Sequence, residues 1–336
     1  MTRSLTPQTG VHWLSGYRPA HPREISSANL ASFRLRAGAL ASISDEQWLT
    51  FGEDIPTSTG LAVIGKLGAN DAERRGAHWL SEMKALKNRG GQLILDYTDD
   101  HLSVTSPMTR FYQQAIGMVD LAVCSSPLLA QRLAEHFSGQ IEIVPDAIEV
   151  PIVPPKTIHQ SPVTVLWFGH ASNLTYLLDF LPRLSSSDPI RLIILCNVEG
   201  LRLLQSHQSL PVPRNVRAEG IVWSIPQMLS AAAQSDLCII PSNPTDRRKA
   251  GVSSNRLLTA LALGLPTAAD RVDSYLPYSE YFTDIRSPQL QTLLKEPLRF
   301  SGAVAAAQAG PILDHALPII GQKWRQLVSR VMQKLC

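Results

Sequence analysis

Apolar and polar positions along this chain follow two periods. Short runs of Val, Ile and Leu with almost no polar interruption lie between stretches where apolar residues return every three or four positions. The runs have the length and β-branched content of strands buried on both faces, and the stretches have the period of helices. In the first half the predicted strands are 11–15, 61–66 (LAVIGK), 92–96 (QLILD), 121–124 and 141–144. A helix is predicted over 71–88, with Ala72, Leu80, Met83 and Leu86 on one side and Arg89-Gly90-Gly91 as its stop. Helices are also predicted over 108–117 and 128–137.

The pattern breaks between Val150 and Pro162 (VPIVPPKTIHQSP), where four prolines in 13 residues allow neither a helix nor a central strand. This stretch reads as an interdomain linker. The alternation then restarts. Strands are predicted at 163–168 (VTVLWF), 191–196 (RLIILC), 216–219, 237–240 (LCII) and 267–269. Helices are predicted at 174–181, 226–234 and 254–263, the second opening on Pro226, where a missing N–H costs little. Strands joined by helices imply parallel sheets of βαβ units. The expected class is therefore α/β, with two Rossmann-like domains at 1–157 and 158–312. A helical tail follows at 313–336, where Lys323, Arg325, Arg330 and Lys334 interleave with Trp324, Leu327, Val328, Val331, Met332 and Leu335. Such a helix either packs on the domains or lies on an anionic membrane.

Composition agrees with two folded domains. The chain has 336 residues, 44% apolar and 18% charged. A net charge of +3 gives no general case for nucleic-acid binding. The charge is uneven: up to Lys156 there are 14 Lys and Arg against 16 Asp and Glu, and beyond it 17 against 12. A basic second domain suits an anionic ligand such as a diphosphate, although a difference of this size also arises as scatter. Cys124, Cys196 and Cys238 sit in apolar runs, and no Cys/His spacing suggests zinc or a disulfide framework. They read as buried thiols, which favours a reducing compartment. The N-terminus shows no signal-peptide pattern, and the most apolar stretches are far shorter than a membrane span. A cytoplasmic location is expected, with peripheral attachment to the inner face of a membrane left open.

Candidate chemistry is sought in loops after the strands, because open α/β sheets bind ligands beyond their carboxyl ends. After LCII come Pro241 to Arg256 and a predicted helix. Gly251 would let backbone approach a ligand, and Ser253 and Ser254 would cap the helix. Its first amides, with Arg247, Arg248 and Lys249, would form an anion site. The competing reading is a solvated loop before an ordinary capped helix. After VTVLWF comes Gly169-His170-Ala171-Ser172-Asn173, a small-residue turn that suits a phosphate or a sugar, or in which His170 simply caps a helix. After QLILD comes Tyr97-Thr98-Asp99-Asp100-His101, able to hold sugar hydroxyls, an acceptor or an oxygen-liganded metal, or to supply an acid or base. It can equally be a solvated acidic turn. No P-loop, GxSxG, HExxH or GxGxxG pattern is present.

Four segments resemble the group 1, family 4-like set of GT-B glycosyltransferases. They are Val119 to Ser126 with the following LLAQRLAEHF, Ile143 to Ile148 (IVPDAI), Val165 to Gly169 (VLWFG), and Ser235 to Pro266, which closes on Ala262-Leu263-Gly264-Leu265-Pro266. The resemblance implies two Rossmann-like domains facing a cleft. It implies a donor nucleotide-sugar held by the second domain, an acceptor held by the first, and a last helix returning to the first. It implies transfer with retained configuration and no obligatory metal or other cofactor. Carried onto this sequence, Gly169, His170, Asn173, Lys249, Gly251, Ser253, Ser254, Asn255, Arg256 and Thr259 would bind the donor. Asp99, Asp100 and His101 would face the acceptor. The sequence departs from the family where two glutamates usually stand eight positions apart, since Gly251 and Thr259 occupy those places. The usual Lys/Arg pair after the first strand of the second domain is also missing. The expected function is transfer of a sugar from a nucleoside-diphosphate-sugar to a glycan or lipid-linked acceptor. A non-catalytic nucleotide-sugar-binding or partner-binding protein and a nucleotide-sugar epimerase are the alternatives.

Overall fold

The computed structural model describes residues 10–19, 24–25, 28, 30–44, 48–69, 72–159, 161–184, 188–206, 213–246 and 251–333. The chain divides into two compact units. One comprises the residues up to Ala147, the segment Gly251–Ser253 and the residues from Ala316 onward; the other runs from Ile148 to His315 without that segment.

The first unit is built on six parallel strands: β1 (Val11–Leu14), β2 (Leu49–Gly52), β3 (Leu61–Ile64), β4 (Gln92–Tyr97), β5 (Leu121–Cys124) and β6 (Gln140–Ile143). Their spatial order is β2-β1-β3-β4-β5-β6. Alternate residues of each strand feed opposite faces. Val11 and Trp13 of β1 and Leu61 and Val63 of β3 join one core, while Leu14, Ala62 and Ile64 join the other. A π-helical turn (Phe33–Ala37) leads into α1 (Gly38–Ala41) on the first face. Helices α2 (Ala72–Asn88) and α3 (Thr109–Ala115) cover the second, through Trp79, Met83, Phe111 and Tyr112. Helix α4 (Pro127–Leu133) follows β5, its start capped by Ser126.

The second unit repeats the plan with β7 (Val163–Gly169), β8 (Ile190–Cys196), β9 (Val216–Val222), β10 (Leu237–Ile240), β11 (Thr267–Ala269) and β12 (Thr283–Asp284). All pairs are parallel, in the order β12-β11-β10-β7-β8-β9. Strand β7 shows why its sequence is apolar but for Thr164: Val163, Val165 and Trp167 fill one core and Leu166 and Phe168 the other. The connections carry α5 (Leu174–Phe180), α6 (Val198–Ser206), α7 (Ile225–Gln234), α8 (Asn255–Ala262), α9 (Gln289–Lys295) and α10 (Ser301–Ala309). The Pro-rich stretch belongs to this unit, where the Val153 N–H donates to the Ala262 carbonyl at 2.7 Å.

The last helix, α11 (Leu317–Gln333), lies in the first unit. Ile320, Trp324, Leu327, Val328 and Val331 form one helical stripe and are buried in the same core as Trp13. The Trp13 and Trp324 rings meet edge to face, 5.0 Å between centroids. The apolar face of this helix is therefore engaged in protein packing. Contact with α1 is close: a Cβ on Gly321 would lie 2.3 Å from the Ala39 carbonyl oxygen. No described helix is long and apolar enough to cross a membrane.

Candidate functional site

In the second unit the chain order reverses between β7 and β10, so this is the topological switch point where open α/β sheets place ligands. The turn after β7 is held by hydrogen bonds. Ala171 N–H donates to Asn197 Oδ1 at 2.9 Å, so the residue after β8 holds the turn after β7. His170 caps that turn: its Nδ1 lies 3.3 Å from the Ser172 amide and 3.2 Å from Ser172 Oγ. The ring is exposed but turned back on its own loop, with Nε2 3.3 Å from Asn197 Nδ2. Asn173 is the residue before α5 and gives its helix no side-chain cap.

Beyond β10, the buried Asp270 anchors the next loop. Its Oδ2 accepts the Ser242 N–H at 2.7 Å, and its Oδ1 is paired with Arg286 Nε. Arg286 also reaches the Ser242 carbonyl at 3.3 Å. Tyr176 of α5 donates to Asp246 Oδ2 at 2.6 Å, joining this helix to the loop after β10. Lys249 lies outside the described residues, as do Arg247 and Arg248.

Helix α8 begins differently from the sequence expectation. Ser254 stands at the N-cap but gives no side-chain capping bond. Its hydroxyl instead meets Tyr278, whose own hydroxyl lies 3.1 Å from Nε2 of the buried His315. Asn255 opens the helix and Thr259 lies one turn in, both half-buried. Arg256 turns inward. One guanidinium nitrogen donates to the Phe168 carbonyl at 2.5 Å, and the group lies over the rings of Trp167 and Phe168 at 5.5 and 5.7 Å. Its Nε is buried without a partner, and no carboxylate pairs with it among the described residues. Burial pulls its pKa below the usual arginine value. A Cβ on Gly169 would lie 3.3 Å from the guanidinium, so the glycine keeps the covering backbone thin at this point.

Gly251 and Ser253 fall in the first unit. Gly251 has φ +82°, and an added Cβ would stand 3.2 Å from Leu129. Its carbonyl accepts from Ser126 Oγ at 2.8 Å. The close approach that the sequence suggested is thus made to α4, and no glutamate can occupy this position without strain.

The loop after β4 in the first unit separates the three acidic-loop candidates by role. Asp100 is buried and committed: it accepts from Tyr97 Oη at 3.2 Å, Ser103 N–H at 3.0 Å and Arg132 Nη1 at 3.1 Å. Burial opposes its ionisation, but the Ser103 and Arg132 bonds outweigh this and hold its pKa below the usual value. It staples the loop and is not available as a base. Asp99, half-buried, pairs with Lys66 from the end of β3. His101 is buried, stacked on Tyr112 at 4.7 Å, with Nδ1 3.2 Å from Ser106 Oγ. Burial lowers its pKa, so the ring is neutral at pH 7.

Other groups were less legible. A groove of about 500 Å³ at the ends of β1 and β2 is lined by His12, Ser15, Thr50, Glu53 and Asp54, among others. Among the described residues one cluster has metal-ligand spacing: Asp54, His78 and Glu82. Its geometry is accounted for by the Asp54–His78 contact at 3.0 Å and the Ile55 N–H donating to Glu82 at 2.8 Å. The described cysteines are buried and free, Cys196 pushed up to about 11 and Cys124 and Cys238 to about 12 by burial. They act as small apolar side chains.

Two six-stranded parallel sheets, each with its crossover helices, constitute the GT-B fold. A scan against family models and a search of curated proteins each find no match. Solved structures do match across nearly the whole chain. HepE from Anabaena, in complex with UDP and glucose, is 12% identical with a TM-score of 0.62, covering 96% of this chain and 100% of its own. The N-terminal domain of trehalose-6-phosphate phosphatase from Candida albicans is 7% identical, TM-score 0.58, covering 96% of both chains. An α-glucosyltransferase in complex with UDP and DNA containing a HMU base is 8% identical, TM-score 0.57, covering 95% and 98%.

Proposed function

We propose that this chain is a glycosyltransferase that moves a sugar from a nucleoside-diphosphate-sugar to a glycan or lipid-linked acceptor, with retained configuration. The observation that carries the reading is Arg256. A half-buried guanidinium with a sealed Nε, bonded to one carbonyl and paired with no carboxylate among the described residues, carries a desolvation cost that is only partly offset. It stands beside Gly169 at the switch point of the sheet. An anion there would offset that cost, and a diphosphate is the anion the GT-B fold suggests. Solved structures of this fold with UDP bound support the same choice.

In this reading the second unit holds the donor. Gly169, Asn173, Ser254, Asn255 and Thr259 line the approach to the diphosphate and ribose, and Lys249 adds a second cation. Arg256 acts from beneath, as fixed positive charge that needs no reorganisation when the leaving diphosphate gains charge. His170 and Asn197 set the shape of the turn. The loop Asp99–His101 of the first unit faces the acceptor. The nucleotide-sugar is a substrate, and no cofactor is part of the proposal.

A second reading, a binding protein without turnover, is favoured by one feature. The two positions where the family carries glutamates are Gly251, barred from a side chain by its φ of +82° and by Leu129, and Thr259. Release of UDP from UDP-sugars in the presence of acceptor glycans separates the two readings. The nucleotide site itself is tested by a thermal-shift panel of nucleoside diphosphates. A ligand at 100 times its Kd should stabilise by about 2.7 kcal/mol. Lys249→Ala should remove much of the shift, and an unchanged response would count against the assignment.

A further inference from the structure

Strand β9 closes one end of the second sheet, and its outer side pairs with no other strand among the described residues. It is long for such a position. The other sheet ends are β2 and β6, with four residues each, and β12, with two, whereas β9 has seven. Bulges, proline and lysine are the usual devices that keep an edge strand from adding another strand. Strand β9 has none of them: its register with β8 runs unbroken from Val216 to Val222, and its sequence is VRAEGIV. It also exposes Val222, and α6 exposes Leu203. This helix packs close on β9, where a Cβ on Gly220 would lie 2.7 Å from Leu201.

The inner ladder sets the phase of the free side. The Asn215 carbonyl accepts from the Ile190 N–H at 2.9 Å, and the Trp223 N–H donates to the Cys196 carbonyl at 2.8 Å. Odd-numbered residues of β9 therefore point their amides and carbonyls at β8, and Ala218, Gly220 and Val222 point theirs outward. The side chains divide differently. Val216 and Ala218 pack in the core that holds Leu204 of α6, while Arg217 and Glu219 lie on the opposite face and are exposed. Arg191 of β8 is aligned with Arg217 in the register. Glu219, the one carboxylate on this face of the two strands, pairs with Arg191. Arg217 has no hydrogen-bond or ion-pair partner among the described residues.

We propose that β9 is a self-association edge: two copies of this chain pair β9 with β9, antiparallel, about a two-fold axis at Ala218, and join two six-stranded sheets into one. Charge selects this register. Outward backbone groups must meet outward groups, so Ala218 exchanges both hydrogen bonds with Ala218 of the partner subunit. Arg217 then stands opposite Glu219 of the partner subunit. The two form a non-hydrogen-bonded pair, in which side chains approach most closely, about 4.5 Å between Cα atoms. Two-fold symmetry makes the pair twice, and each Arg217 gains the carboxylate it lacks. Moving the axis by one residue sets Arg217 against the partner's Arg217, or Glu219 against the partner's Glu219, and like charges directly opposite disfavour both. Moving it by two leaves Arg217 and Glu219 unmatched. The seam uses no group assigned to nucleotide binding.

Sedimentation equilibrium of the full chain tests the seam. The wild type should show twice the chain mass, falling toward the single-chain mass on dilution. Arg217→Glu sets like charges opposite each other at both symmetric positions and should weaken association by about tenfold or more. Glu219→Arg should do the same. The double variant Arg217→Glu/Glu219→Arg restores opposite charges with their places exchanged, and should recover the association of the wild type. Both positions are exposed, so the variants should keep the circular-dichroism spectrum of the wild type. A wild type that stays a single chain up to its solubility limit overturns the proposal, whatever the variants do. A dimer that both single variants leave intact, or that the folded double variant does not recover, overturns it as well.

Discussion

The Arg256 guanidinium donates to the Phe168 carbonyl at the end of β7 and has no acidic partner among the described residues. Such an arrangement is poor for stability on its own, since the residue is half-buried with its Nε sealed from water, and a cation drawn out of water without a counter-ion costs stability. Replacing Arg256 by Met, of similar length and apolar, should leave the thermal midpoint of the unliganded protein unchanged or raise it, by on the order of 1 kcal/mol. A calorimetric scan without ligand checks this. A large loss of stability would show that the arginine serves the fold rather than a ligand.

Arg36, which is fully buried, has the opposite character. Arg36 is enclosed between Asp96 at 2.6 Å and Asp146 at 3.2 Å and lies over the Trp324 ring at 5.1 Å. Burial opposes the charge on Arg36, but the two carboxylates win and raise its pKa. Asp96 is pushed up to about 6 by burial, against which Arg36 prevails only in part. Its folded pKa thus exceeds its unfolded one, so the folded state holds the extra proton between about pH 4 and 6. Stability from this group is present at the low end of that window and is lost as pH rises through it. Relative to Asp96→Asn, the wild type should lose on the order of 1 kcal/mol of protection in β4 between pH 4.5 and 7. Hydrogen exchange of the β4 amides measures the difference, and the opposite slope would refute the assignment.

Placing an acid at residue 251 should fail. Gly251 has φ +82° and its backbone lies against Leu129, so Gly251→Glu is expected to cost about 1–3 kcal/mol through backbone strain alone. Chemical unfolding of the two proteins tests this. A glutamate accepted at no cost would mean that the loop readily takes another conformation.

Asp270, the residue after β11, holds the Ser242 turn, and Arg286 closes the pair from a half-exposed position. Asp270→Asn should lower stability by about 1–3 kcal/mol, less than for a fully enclosed pair because water reaches Arg286. It should also weaken nucleotide binding severalfold, since the loop after β10 loses its anchor. Thermal shift with and without UDP separates the two effects.

Much of the architecture was legible because both sheets are parallel and covered on both faces. Leu237 to Ile240 has no polar break, and Val163 to Phe168 has only Thr164, so neither run is obscured. What escaped lies where buried charge or small residues mask the pattern. The turn Phe33–Ala37 buries Arg34 and Arg36, and their charges hide its inward face. Helix α10 (SGAVAAAQA) is mostly alanine and carries no clear period. Strand β2 is short and includes Thr50 and Gly52. The candidate site was legible as loops but not as roles. Arg256 was expected to face a ligand directly, and nothing local in Asn255-Arg256-Leu257 shows that it turns under β7. Ser254 has the composition of a cap, but Tyr278, distant in sequence, takes its hydroxyl. Asp99, Asp100 and His101 read alike as a polar cluster, whereas Arg132 and Ser103 commit Asp100 and the Ser106 hydroxyl meets His101.

The most direct test is calorimetric titration of UDP into the wild-type chain and into Arg256→Met. If Arg256 supplies the fixed charge for a diphosphate at the end of β7, the wild type binds and the variant binds at least tenfold more weakly, about 1.4 kcal/mol. Equal affinity in the two proteins, or no binding to the wild type, contradicts it.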